Sequence, residues 1–90
     1  MKVKKEYILK TVAGQHIVVP IGAEAKRFHG MITLNDTGKF LFESLSEDTS
    51  IEHLILRLVE AYEVTPEVAK KDVEKFVNLL DKHQILESRT

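Results

Sequence analysis

Gly30-Met31-Ile32-Thr33-Leu34-Asn35-Asp36-Thr37-Gly38 divides the chain into two halves of different periodicity. Met31 to Leu34 reads as a short strand, β-branched at Ile32 and Thr33. Asn35 is a good N-cap, because its side-chain oxygen can accept an amide at N2 or N3 that the start of a helix leaves unpaired. Asp36 follows in the first turn, where negative charge suits the helix dipole. A strand therefore runs into a helix with almost no loop. The reading that follows is a sheet before this junction and helices covering it afterwards.

Working back towards the N-terminus, Tyr7 to Ala13 has strand character, with Ile8, Leu9 and Val12 among its residues. Gly14-Gln15 supplies a tight turn, and His16 to Val19 is β-branched again, so the two runs form a β-hairpin. Pro20 and Gly22 close the second strand, and residues 23–29 form a connection with no sustained period. The strand at Met31–Leu34 joins the hairpin as its outer member.

Working forward, a first helix from about Asp36 to Leu45 carries the stripe Gly38, Leu41, Phe42 and Leu45. Glycine inside a helix costs roughly 1 kcal/mol against alanine, so Gly38 implies a close backbone approach. Phe40 falls off this stripe and is either a flank of the core, the favoured reading, or an exposed contact. Thr49 and Glu52 have capping-box spacing before a second helix, whose broad apolar face holds Ile51, Leu54, Ile55, Leu58, Val59 and Tyr62. Leu56 lies off that face. Thr65-Pro66 opens a third helix, with threonine as N-cap and proline at N1, where its missing amide costs nothing. Ala69, Val73, Phe76, Val77 and Leu80 form its buried stripe, widened along one flank by Val68, Asp72, Lys75 and Leu79. Ile85-Leu86-Glu87 is a short apolar end that packs back on the sheet, and Ser88-Arg89-Thr90 reads as a fraying tail.

Ninety residues make one domain, spanning 1–90, and 43% hydrophobic with 30% charged residues is ordinary globular composition. Thirteen basic and fourteen acidic residues are intermixed, giving a net charge of −1. That balance lacks the basic stripe that nucleic-acid binding wants. The chain has no cysteine, which excludes disulfides, thiolate metal sites and cysteine nucleophiles. No apolar run approaches the ~20 residues of a membrane span, and no signal-peptide core follows the basic start. These features describe a cytoplasmic domain.

Chemistry-bearing patterns are absent. His16, His29, His53 and His83 show no i, i+4 metal-pair spacing. There is no phosphate-cradling glycine loop. Carboxylates such as Glu60, Glu63, Glu67 and Asp72 sit among lysines, for example Glu67 with Lys71 at i, i+4. Neither a nucleophile–base pair nor a metal or cofactor site is expected, so the reading is of a non-enzyme.

Three runs carry a family resemblance: Val18-Val-Pro-Ile-Gly, then Gly30 to Gly38 with its Leu34-Asn35-x-Thr37-Gly38 core, then Phe42-Glu-Ser-Leu. Leu58-Val-Glu-Ala-Tyr, the spacing of Val68, Val73, Phe76, Val77 and Leu80, and the closing Ile85-Leu86-Glu87 extend it over nearly the whole chain. Together they resemble the PqqD family of coenzyme PQQ synthesis proteins, recognition elements for RiPP precursor peptides. Asp48 and Gln84 stand near positions where the family often has glycine.

The resemblance implies an α+β, winged helix-turn-helix-like domain: three N-terminal β-strands followed by three α-helices. It further implies a peptide chaperone that binds the leader of a ribosomally made precursor and delivers it to a radical SAM/SPASM maturase. The leader would add as a strand beside the third strand of the sheet. The edge would then be Phe28, His29, Gly30, Met31, Ile32 and Thr33, and the facing helix wall Val68, Asp72, Lys75, Phe76 and Leu79. An open strand edge offers unpaired amides and carbonyls, and side-chain pockets add selectivity. The expected state is a monomer or weak homodimer, without nucleic acid or membrane. A structural interaction or dimerisation module is the second reading, using the same edge symmetrically. Winged-helix DNA binding is a distant third, because Glu67, Asp72, Glu74 and Asp81 lie beside the lysines of the third helix.

Overall fold

The computed structural model describes residues 1–28 and 30–87. The elements run β1 (Tyr7–Val12), β2 (Gln15–Pro20), α1 (Ala23–Arg27), β3 (Ile32–Leu34), α2 (Asp36–Ser44), α3 (Ile51–Tyr62) and α4 (Pro66–Lys82). The strands form one antiparallel sheet in the order β1-β2-β3, so β3 is an edge. The architecture is the α+β arrangement expected, with one addition: the connection after β2 contains the short helix α1. Five residues are too few to show an amphipathic period, which is why the sequence reads as a plain connection there. The tail Ser88-Arg89-Thr90 lies outside the described residues.

The hairpin turn falls at Ala13-Gly14, one residue earlier than its sequence suggests, and Val12 pairs with Gln15. Both turn residues have positive φ (51° and 78°), the twist that a two-residue hairpin favours. The register then fixes which backbone groups face which neighbour. Pairs of the hydrogen-bonded kind alternate with pairs that are not. The Ile21 amide bonds to the Glu6 carbonyl at 2.7 Å, which sets the parity along the hairpin. By that alternation, His16 and Val18 turn their backbone groups to β3, where they face Leu34 and Ile32. Pro20 is the next position of that type and has no amide to donate. The β2–β3 ladder is therefore short.

Sheet and helices share one core. Tyr7, Val18 and Leu34 meet Leu41, Phe42, Leu45, Leu54, Leu58, Ala69, Val73, Phe76, Leu80 and Ile85, all buried. Asn35 caps α2 as expected, its Oδ1 accepting the Gly38 amide at 2.7 Å. Thr65 caps α4, accepting from the Val68 amide at 3.3 Å. The second long helix is capped differently. Ser50 rather than Thr49 is the N-cap, accepting from the His53 amide at 3.1 Å. Thr49 turns inward, and its hydroxyl is buried with no partner among the described residues. Phe40 flanks the core, edge-on to Tyr62 at 5.5 Å, while Leu56 is exposed as expected. Leu86 pairs with Val3 ahead of β1 instead of with the three-stranded sheet. No described helix is long and apolar enough to cross a membrane.

Gln84 ends α4 with φ of 57°, a left-handed conformation that costs a side-chain-bearing residue roughly 1–2 kcal/mol. Gln84→Gly should therefore stabilise the fold, by up to about 1 kcal/mol after the extra unfolded-state entropy of glycine is subtracted. Phe76→Ala should cost about 3–5 kcal/mol, the usual size for emptying a core phenylalanine site. Urea melts of both variants measure these differences. A cost below about 1 kcal/mol for Phe76→Ala would mean that α4 buries another face.

Candidate functional site

β3 brings its neighbours together through the junction at Leu34-Asn35. The Leu34 side chain is buried, and α2 begins two residues later. A Cβ on Gly38 would stand 3.2 Å from both Leu34 Cβ and Asn35 Oδ1, so glycine lets the first turn of α2 sit directly on the end of β3. This is the close approach that a helical glycine implied. The arrangement leaves an open groove of about 690 Å³ between the β3–α2 junction and α4.

The floor of the groove is apolar, made by Leu34, Leu41, Phe76 and Leu79. Phe76 is mostly taken into the core, whereas Leu79 is half-buried and turned towards the groove. Thr33, Asn35 and Thr37 form one polar rim, and Asp72, Lys75, Asn78 and Lys82 form the other along α4. The alternation that turns the backbone groups of Ile32 and Leu34 to β2 turns those of Thr33 outward, with no strand beside them among the described residues. Met31, one step before the strand, is 61% exposed and in the same phase.

The groove thus gathers Thr33, Asp72, Lys75, Phe76 and Leu79 from the residues singled out in the sequence. Others stand elsewhere. Phe28 points inward, edge-on to Tyr7 at 6.1 Å and to His83 at 5.2 Å. Ile32 packs against the core, while Gly30 and Met31 continue the exposed edge outside the groove lining. Val68 is exposed, beyond Asp72 on α4, and does not line the groove. His29 lies outside the described residues. Sequence reading missed Asn35, Thr37, Asn78 and Lys82. Lys82 follows from extending the stripe Asp72, Lys75, Leu79 by one more turn, and Asn78 is the i, i+3 neighbour of Lys75; Asn35 was absorbed by its capping role, and Thr37 was read only within the family motif.

A polar clamp holds the frame of this site. The Tyr7 hydroxyl donates to Glu24 Oε1 at 2.9 Å, and Arg27 donates to the same oxygen at 2.8 Å. Arg27 also donates to the Tyr7 oxygen at 2.9 Å and to the carbonyls of His83 and Gln84 at 3.0 and 3.3 Å. α1 is thereby tied to β1 and to the end of α4, on the side where the chain enters β3. The Arg27 bond, with help from the Tyr7 hydroxyl and against partial desolvation, holds the Glu24 carboxyl at about 2 instead of the ordinary 4.5. At the other end, His16 Nε2 donates to Asp36 Oδ1 at 2.8 Å, joining β2 to the start of α2. Among the described residues no three His, Asp or Glu side chains come together as metal ligands would.

Comparison with known proteins agrees with this architecture. The sequence matches the family model described as Coenzyme PQQ synthesis protein D (PqqD) over residues 8–86. Among solved structures, "TbiB1 in Complex with the TbiA(beta) Leader Peptide" is similar with a TM-score of 0.76 and 16% identity, covering 100% of this chain and 99% of that one. "Lasso peptide synthetase B1 complexed with the leader peptide" is similar with a TM-score of 0.70 and 20% identity, covering 90% and 89%. At these identities the likeness is one of fold. No functionally curated protein matches the chain.

The depressed carboxyl of Glu24 gives the fold a pH signature. Its folded value lies below the unfolded one, so its contribution is complete above about 4.5 and is lost as pH falls towards about 2. In urea melts, the gap between the unsubstituted chain and Glu24→Gln should be widest near neutral pH and close over that window. A gap that stays constant with pH would mean the clamp does not hold the ionised carboxylate.

Proposed function

The chain belongs to the Coenzyme PQQ synthesis protein D (PqqD) family, and from that premise we propose that it binds the leader segment of a ribosomally synthesised precursor peptide. The leader adds as a strand to the outer edge of β3, in the groove facing α4. The protein is a non-catalytic peptide chaperone, and the recipient of the bound precursor is a radical SAM maturase. Its pathway makes pyrroloquinoline quinone or a related modified peptide. One observation carries this reading: the outward backbone of Thr33 borders an open, apolar-floored groove of about 690 Å³. Two proteins of the same fold are described as leader-peptide complexes, which supports the same mode. Backbone pairing supplies affinity, and Leu79 with the rim of α4 supplies selectivity.

Duplex DNA is the weaker partner for this surface. Glu67, Asp72 and Glu74 are exposed on α4 alongside Lys70, Lys71 and Lys75, so phosphates meet both signs of charge.

Titration of isotope-labelled protein with the precursor peptide encoded beside its gene tests the proposal. Shifts should concentrate at residues 30–34 and 72–82, while α3 stays quiet. Leu79→Glu places a charge against the apolar floor and should weaken binding by about tenfold or more, since about 1.4 kcal/mol is one decade. Thr33→Pro removes an outward amide without touching the β2 ladder, and should also weaken binding. Lys75→Ala should have a smaller effect that shrinks as salt rises. Largest shifts at Leu56 and the outer face of α3 would place recognition on another surface.

A further inference from the structure

We propose that the groove selects a charge-polarised segment: an acidic and a basic side chain four positions apart with an apolar one midway, all on one face of the added strand, the acidic one at the lysine end of the groove and the basic one at Asp72. The inference rests on the strand-addition reading and deepens it by specifying the peptide.

The order of groups along the groove is fixed by the fold. The end of α4 lies beside the entry to β3, because His83 packs edge-on against Phe28 at 5.2 Å. From that end the α4 rim runs Lys82, Leu79, Lys75 and Asp72. Both lysines therefore precede the aspartate along the direction of β3. Among the described residues, Asp72, Lys75 and Lys82 make no ion pair with any neighbour. The opposite rim, Thr33, Asn35 and Thr37, is uncharged. Asp36 does not line the groove, and its carboxylate is bonded to His16. The charged side chains that line the groove thus all come from α4.

Strand geometry then decides which peptide positions read this order. Residues placed opposite Ile32 and Leu34 share their face of the sheet, the one covered by helices, whereas a residue opposite Thr33 points away. Alternate peptide residues consequently enter the groove. From Asp72 to Lys82, α4 rises about 15 Å at ~1.5 Å per residue. An extended peptide covers that distance in four to five residues at about 3.3 Å each. The two charged positions are therefore i and i+4, with the residue at i+2 between them on Leu79, Phe76 and Leu34. Covering the groove also removes water from the rim charges, so a matched pair gains strength and a mismatched one is penalised.

The test is a selection of short randomised peptides, displayed on their own messenger RNA, against the full chain, its K75E/K82E variant and its Leu79→Glu variant. On the unsubstituted chain, an acidic and a basic residue four positions apart with an apolar residue midway, in one consistent order, should be enriched about tenfold over the input, equivalent to about 1.4 kcal/mol. On K75E/K82E the acidic preference should invert to Lys or Arg, a gain that a damaged fold cannot produce. An apolar motif without charge preference, or an acidic preference that survives K75E/K82E, would overturn this inference while leaving the groove as the binding site. Recovery only of peptides indifferent to Leu79→Glu would overturn the groove reading, and this inference with it.

Discussion

Everything at the open edge of the sheet depends on how β3 is stopped. Asn35 Oδ1 accepts the Gly38 amide at 2.7 Å, and Gly38 brings no Cβ into the 3.2 Å gap above Leu34. The strand therefore ends and α2 begins within one residue, with Leu34 sealed beneath the helix. A longer loop would let the first turn of α2 drift away from the sheet and fill the space beside α4. Here the same short junction closes the core and leaves the outer backbone of β3 beside an unfilled groove.

The rest of the fold holds that edge without covering it. Pro20 ends the β2 ladder, so β3 needs only a short partner and its chain can turn away at Gly30. The clamp of Tyr7, Glu24 and Arg27 then ties the returning chain to the carbonyls of His83 and Gln84 at the end of α4. That contact sets the distance between β3 and α4 at the end where the lysine side of the rim begins. Charged and polar groups do this work at the periphery, while among the described residues no polar or charged residue is wholly buried, the inward hydroxyl of the partly buried Thr49 aside. An edge strand is ordinarily a hazard, open to any other chain. A very short β3 flanked by charged and polar rims limits that hazard.

The parts legible in the sequence were those governed by local rules. The N-caps Asn35 and Thr65, the proline at N1, the apolar periods of the three long helices and the hairpin all follow from residues within a few positions of one another. Leu34, Leu41, Phe42, Leu45, Leu58, Phe76 and Leu80 could be assigned to one core because each sits on an amphipathic stripe that must face something apolar. Where two local signals competed, the sequence could not arbitrate. Thr49 and Ser50 are both competent caps, and only the packing that draws Thr49 inward makes Ser50 the cap.

The sequence by itself determined that a strand ends in a helix at Leu34-Asn35, that helices cover a small sheet, and that the chain carries no recognisable catalytic pattern. Only the tertiary structure decided which wall faces which edge. Phe28 looks like an edge residue in one dimension and is an inward-facing contact of Tyr7 and His83 in three. Val68 lies on the same helical stripe as Asp72 but beyond the reach of the groove, whereas Lys82 lies within it. The reason is physical: periodicity fixes the face of an element, but its position along a neighbour is set by long-range contacts such as Arg27 with the end of α4. Those contacts join residues far apart in the chain, and no local pattern encodes their register.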